Sequence, residues 1–256
     1  MAGDLQAIPR GAAHLLAVGE THLRRESQGW AHYFLSSVSY QRNDLTSAEA
    51  HARAVEGMRY AGRPMIYLQS TFINASISQA RGQPNQAQRQ IELALDFLRE
   101  TRSEGLVPLA QAFQAELAAR QGDLGAARHW ATTIGPFLPL ALMPYFYAPQ
   151  LTLPKILLAQ DTPASRKQAG EALSRLHDFV TATHNTRFTI EVLALQALLH
   201  ETQGDERTAL ALLEQAVALA EPGGFIRLFV DLGPGQARLL TRLRQMGVAS
   251  SYTGQI

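Results

Sequence analysis

The feature that most constrains this chain is a turn that keeps returning. Arg42-Asn43-Asp44-Leu45, Arg81-Gly82-Gln83-Pro84, Gln121-Gly122-Asp123-Leu124, Gln160-Asp161-Thr162-Pro163 and Gln203-Gly204-Asp205-Glu206 punctuate long segments in which Leu and Ala recur at helical spacing. Counted at the third residue of each turn (44, 83, 123, 162 and 205), the spacings are 39, 40, 39 and 43. A period of about 40 residues, in a chain with almost no strand signals, predicts stacked helix pairs, because one pair alone cannot bury its apolar face. The turn residues suit that role. Gly or Asn accepts the left-handed conformation that closes a helix, and Asp, Thr or Pro opens the next one by capping it or by presetting φ.

A second regularity sets how the helices meet. Ala48, Ala87, Ala127 and Ala209 stand five residues after Asn43, Gly82, Gly122 and Gly204, and Ser36, Ala75, Ala115 and Ala197 stand seven before. Small side chains at matched points of two antiparallel helices allow close approach, and a larger one would overpack the crossing by about 1–3 kcal/mol. This double pattern resembles the tetratricopeptide (TPR) motif, whose period is about 34 residues; the extra residues here would lengthen helices or links. The expected fold is therefore all-α, a right-handed superhelix of tandem antiparallel helix pairs, with helices near 12–25, 28–42, 46–60, 65–81, 84–102, 106–121, 124–133, 150–160, 164–183, 186–203 and 206–220. The fourth unit departs from the pattern. Pro154 replaces its first small residue and Ala169 follows Asp161 by eight positions, which predicts a shortened or kinked first helix and a longer turn. The repeat array is expected over residues 1–221 and a capping segment over 222–256. The first helix has no partner upstream, so the chain reads as a segment of a longer polypeptide.

Several function classes are disfavoured by what the sequence contains. A formal net charge of +1 over 256 residues supplies no global field for nucleic acid or an anionic membrane. Cys is absent, removing disulfides and thiolate chemistry and fitting a reducing, cytoplasmic setting. The uncharged stretch from Ala131 to Pro154 is broken by Pro136, Pro139, Pro144, Pro149 and Pro154; each removes a backbone donor, which is incompatible with a spanning helix. No two of the eight histidines lie three or four apart, so no metal site is expected. Neither a G-x-S-x-G elbow nor G-x-x-x-x-G-K-[ST] occurs, and no enzyme activity is expected.

The turns also index a candidate groove. Counting 13, 10, 6 and 3 residues back from Asn43 and from Gly82 gives Trp30, Tyr33, Ser37 and Tyr40, then Gln69, Phe72, Ser76 and Gln79. The same offsets reach Glu116 before Gly122, Lys155 before Asp161, and Glu191, Ala194, Leu198 and Glu201 before Gly204. Aromatic faces beside hydroxyls and amides suit a neutral ligand or a weakly charged peptide, since rings supply apolar area while polar tips orient the partner.

Past the last pair, the run Ala218-Leu219-Ala220-Glu221-Pro222-Gly223-Gly224-Phe225-Ile226-Arg227-Leu228-Phe229-Val230-Asp231-Leu232-Gly233-Pro234 resembles the end of the helical sensor region in MalT-like regulators, large LuxR-type transcriptional activators. Ala31-His32-Tyr33-Phe34-Leu35, Tyr40-Gln41-Arg42-Asn43-Asp44-Leu45 and Ala182-Thr183-His184-Asn185-Thr186-Arg187 are similar too, while Leu232 stands where an acidic residue is expected. The resemblance implies a parent with an ATP-binding N-terminal module and a C-terminal helix-turn-helix, flanking a sensor region that itself binds no nucleotide or DNA. The expected partners are a small inducer or a regulatory protein in the groove and the other domains of the parent. The alternative is a protein-interaction scaffold with no small ligand.

Overall fold

In the computed structural model the described residues are 7–18, 24–60, 62–133, 145–248 and 250–256. They form α1 (Ala7–Val18), α2 (Arg24–Gln41), α3 (Leu45–Glu56), α4 (Pro64–Ala80), α5 (Pro84–Glu100), α6 (Val107–Arg120), α7 (Leu124–Thr133), α8 (Thr152–Gln160), α9 (Pro163–Ala182), α10 (Thr186–Thr202), α11 (Glu206–Ala220), α12 (Arg227–Val230), α13 (Pro234–Gln245) and α14 (Ser250–Thr253). No strand occurs among the described residues. Successive helices pack as neighbouring pairs, so the chain is an all-α, TPR-like array.

The chain divides into two compact units. The first comprises α1 to α7 together with the separate strip 145–149, and the second comprises α8 to α14.

The recurring turns are built as their residue types demand. Asn43, Gly82, Gly122, Asp161 and Gly204 all adopt positive φ, between 49° and 86°, the conformation that lets a helix end by turning its chain back. Asp44, Asp123 and Asp205 then accept hydrogen bonds from the backbone N–H groups of Ser47, Ala126 and Thr208, at 3.0, 3.1 and 3.2 Å. Thr162 and Ser165 cap each other reciprocally at the start of α9. The matched small residues are buried, as close helix contact requires: Ala48, Ala87, Ala127 and Ala209 on one side, Ser36, Ala75, Ala115 and Ala197 on the other. At the first crossing the approach is close enough for the Ser36 hydroxyl to donate to the Ala48 carbonyl at 2.7 Å.

Three sequence expectations need correction. The first helix begins at Ala7, with Pro9 in its opening turn, and is described only to Val18; the remainder of the expected span, 19–23, lies outside the described residues. The third ends at Glu56, with Gly57 as its cap, earlier than expected. The turn of the fourth unit is no longer than the others, because Asp161 takes the left-handed position and Thr162 caps α9 directly. The short first helix expected there is found: α8 has 9 residues, with Pro154 in its first turn where no helical N–H is lost.

The core of the first unit lies around α4, in which every residue from Ile66 to Ser78 is buried. An amphipathic helix exposes one face; α4 exposes none over this span, so its would-be groove side is covered too. In the second unit α10 is nearly as enclosed, with Phe188, Ile190 to Leu195, Ala197 and Leu199 buried.

Candidate functional site

What covers α4 is the strip 145–149. Tyr147 sets its ring edge-on to Phe72 of α4 at 5.1 Å and to Phe113 of α6 at 4.9 Å, while Phe72 and Phe113 stack on each other at 4.3 Å. Phe146 meets Tyr40 of α2 edge-on at 5.3 Å. These edge-to-face arrangements match the quadrupoles of aromatic rings. The strip therefore crosses the face made by α2, α4 and α6, the first helices of three successive pairs.

Its main chain is gripped by side chains. The Phe146 N–H donates to the Tyr33 hydroxyl oxygen at 2.6 Å, and the Tyr147 N–H donates to Gln69 Oε1 at 3.0 Å. Gln69 Nε2 lies 3.5 Å from the Tyr147 carbonyl, so one amide side chain addresses both polar groups of a single residue. Tyr33 and Gln69 are each 0% exposed. Buried polar groups of this kind are strongly destabilising without partners, and the strip supplies partners to Tyr33 and Gln69.

The structure places the sequence-predicted residues as follows. Tyr33, Tyr40, Gln69 and Phe72 converge on the strip. Trp30 is half-buried, edge-on to Tyr33 at 6.0 Å and stacked on Phe34 at 5.5 Å. Ser37 is half-buried, Ser76 and Glu116 are buried, and half-buried Gln79 accepts from Gln121 Nε2 at 2.9 Å. Lys155 belongs to the second unit, where its ammonium sits 2.8 Å from buried Glu191, with Arg187 3.8 Å from the same carboxylate. Sequence reasoning missed Phe146, Tyr147 and Phe113. The available signal was Tyr145-Phe146-Tyr147 itself, three consecutive aromatics in a proline-broken run.

Two other features lie apart from this strip. Between α2 and α3 of the first unit, His32 Nδ1 lies 2.9 Å from His51 Nδ1. Burial pushes both imidazoles below their usual range, with mutual repulsion adding to the effect at His32, while Asp44 opposes it at His51. In the second unit a shallow open cleft is lined by Asp205, Arg207, Leu210, Glu214, Leu243 and Met246, with no convergent buried polar group. Among the described residues there is no group of three or more His, Cys, Asp or Glu able to hold a metal ion, and no helix long and apolar enough to cross a membrane.

Comparison with curated proteins finds no match. A family model described as the MalT-like TPR region matches residues 6–246, nearly the whole chain. With its tandem helix pairs, this chain belongs to the MalT-like TPR family.

Proposed function

We propose that this chain is the effector-sensing and protein-interaction region of a MalT-type transcriptional regulator, taking a small effector or a regulatory protein on the α2/α4/α6 face and passing the event to an adjacent ATPase module. The observation that carries the reading is the face itself. Rings of Tyr40, Phe72 and Phe113 supply apolar area, and the polar tips of Tyr33 and Gln69 point at main-chain atoms of another segment. Ring faces beside polar tips that address main-chain atoms are what a recognition surface uses. TPR-like regions are a scaffold type, and catalysis would be assigned to neighbouring modules of the parent.

Signalling of this kind needs differential affinity. A ligand biases two conformations only by the difference in its binding to each, and a tenfold bias corresponds to about 1.4 kcal/mol. The test is isothermal calorimetry and thermal shift of the chain against oligosaccharides and central metabolites, with affinity capture from the native cell run in parallel. Binding weakened by Tyr33→Ala in either assay supports the reading. Silence of every metabolite together with capture unaffected by Tyr33→Ala would overturn it.

A further inference from the structure

The strip 145–149 is held in the manner of a bound peptide. Three of its contacts, from the Phe146 N–H, the Tyr147 N–H and the Tyr147 carbonyl, are to atoms that any peptide carries. A side-chain amide that addresses the N–H and C=O of one residue reproduces half of a β-ladder without needing a strand beside it. The two adjacent side chains then enter separate ring-lined positions, Phe146 against Tyr40 and Tyr147 against Phe72 and Phe113. Main-chain bonds that give affinity, with flanking pockets that give selectivity, are how extended peptides are recognised. No charged side chain occurs in Tyr145-Phe146-Tyr147-Ala148-Pro149, and Pro149, which opens a short 3-10 turn, keeps the preceding Ala148 out of helical backbone, lowering the entropic cost of docking.

We propose that the α2/α4/α6 face is a receptor for a non-helical, uncharged peptide bearing two adjacent aromatic residues, that Tyr145–Pro149 is its built-in ligand, and that a partner segment of the same chemistry exchanges with it in trans. The proposal rests on the reading of this face as a recognition surface and deepens it by naming the class of partner and the competitor that regulates access. A helix–helix contact would not behave this way, because a helix satisfies its own backbone and offers nothing for Gln69 to read.

The test uses the full chain and a fluorescein-labelled, end-capped peptide Tyr-Phe-Tyr-Ala-Pro, with Tyr-Ala-Ala-Ala-Pro as control. Removing the built-in ligand by Phe146→Ala with Tyr147→Ala should raise affinity for the labelled peptide at least tenfold over the unmodified chain. Adding Gln69→Leu should abolish that gain, and the control peptide should not bind. A double variant that keeps its helicity yet binds the peptide no better than the unmodified chain overturns the proposal. If the double variant fails to fold, hydrogen exchange on the unmodified chain decides. Phe146 and Tyr147 amides exchanging at least tenfold faster than those of α4 support a displaceable strip, and equal protection overturns it. A dimer of the unmodified chain that disappears in the double variant would assign the occupant as a second copy and overturn the trans partner. Metabolite binding that leaves the labelled peptide unaffected would sink this inference while sparing the broader reading, so the two fail separately.

Discussion

Both units cover the inward side of a central helix, and they do so by opposite means. In the first, the side of α4 bearing Gln69 and Phe72 is closed by a non-helical strip whose amides are partnered by receptor side chains. In the second, the corresponding offsets on α10 are Glu191, Ala194, Leu198 and Glu201. Glu191 is neutralised by Lys155 and Arg187, Glu201 is paired with Arg242 of α13 at 3.0 Å, and Leu198 lies so close to Gly235 that an added Cβ there would sit 3.1 Å from it. The helix α13 is thus packed onto α10, contributing side chains and an ion pair. The difference separates a permanent lid from a held ligand. A helical cover bonds its own interior main chain, whereas the strip takes main-chain partners from its receptor, which is what the proposed exchange requires.

The largest expected effect tests the strip's seat. Phe72→Ala removes the ring shared by Phe113 and Tyr147 and should cost about 3–5 kcal/mol in urea unfolding, with loss of exchange protection at the Tyr147 amide. Full stability loss with that amide still protected would break the comparison, because the ring would then be core only.

Next in size is the electrostatic seal of the second unit. Lys155→Met leaves Glu191 buried with Arg187 as its more distant cation, and breaking such a pair should cost about 3 kcal/mol. A loss indistinguishable from a surface ion pair, about 0–1 kcal/mol, would show that this side is open to water.

The smallest effect is a pH dependence belonging to the first unit. His32 and His51 are held below their usual value of 6.5 in the folded state. The unfolded chain therefore takes up protons where the folded pair resists them. Stability should be level above about pH 6.5 and fall as pH drops below it. His51→Gln should flatten that slope. Thermal melts between pH 7.5 and 5.5 check it, and an unchanged slope in the variant would move the effect elsewhere.

Much of the fold was legible because its determinants are local. A Gly or Asn at positive φ and an Asp three residues before a capped N–H are properties of four-residue windows, and Ala48 or Ala87 need only be small. The links between pairs were less visible, since the left-handed residues that close α5 and α9 are Arg102 and His184, types that announce no turn. The site was half legible. Offsets from the turns found Tyr33, Tyr40, Gln69 and Phe72, yet nothing local says that residues about 78 and 113 positions downstream would dock on them, which is the separation of the Gln69 and Tyr33 contacts. That pairing is a tertiary fact, set by which apolar rings find shelter, and the prolines around it reveal only that the segment is no helix.

The enclosure of α4 has a consequence for how the chain can change over time. From Ile66 to Ser78 every position, polar and apolar alike, is buried, so there is no side on which substitutions can drift harmlessly. A saturation-mutagenesis map should show an unbroken intolerant band there, flanked by α3 and α5 with the usual every-third-or-fourth stripes. Diversification of this protein is thereby channelled into the helices around that axle.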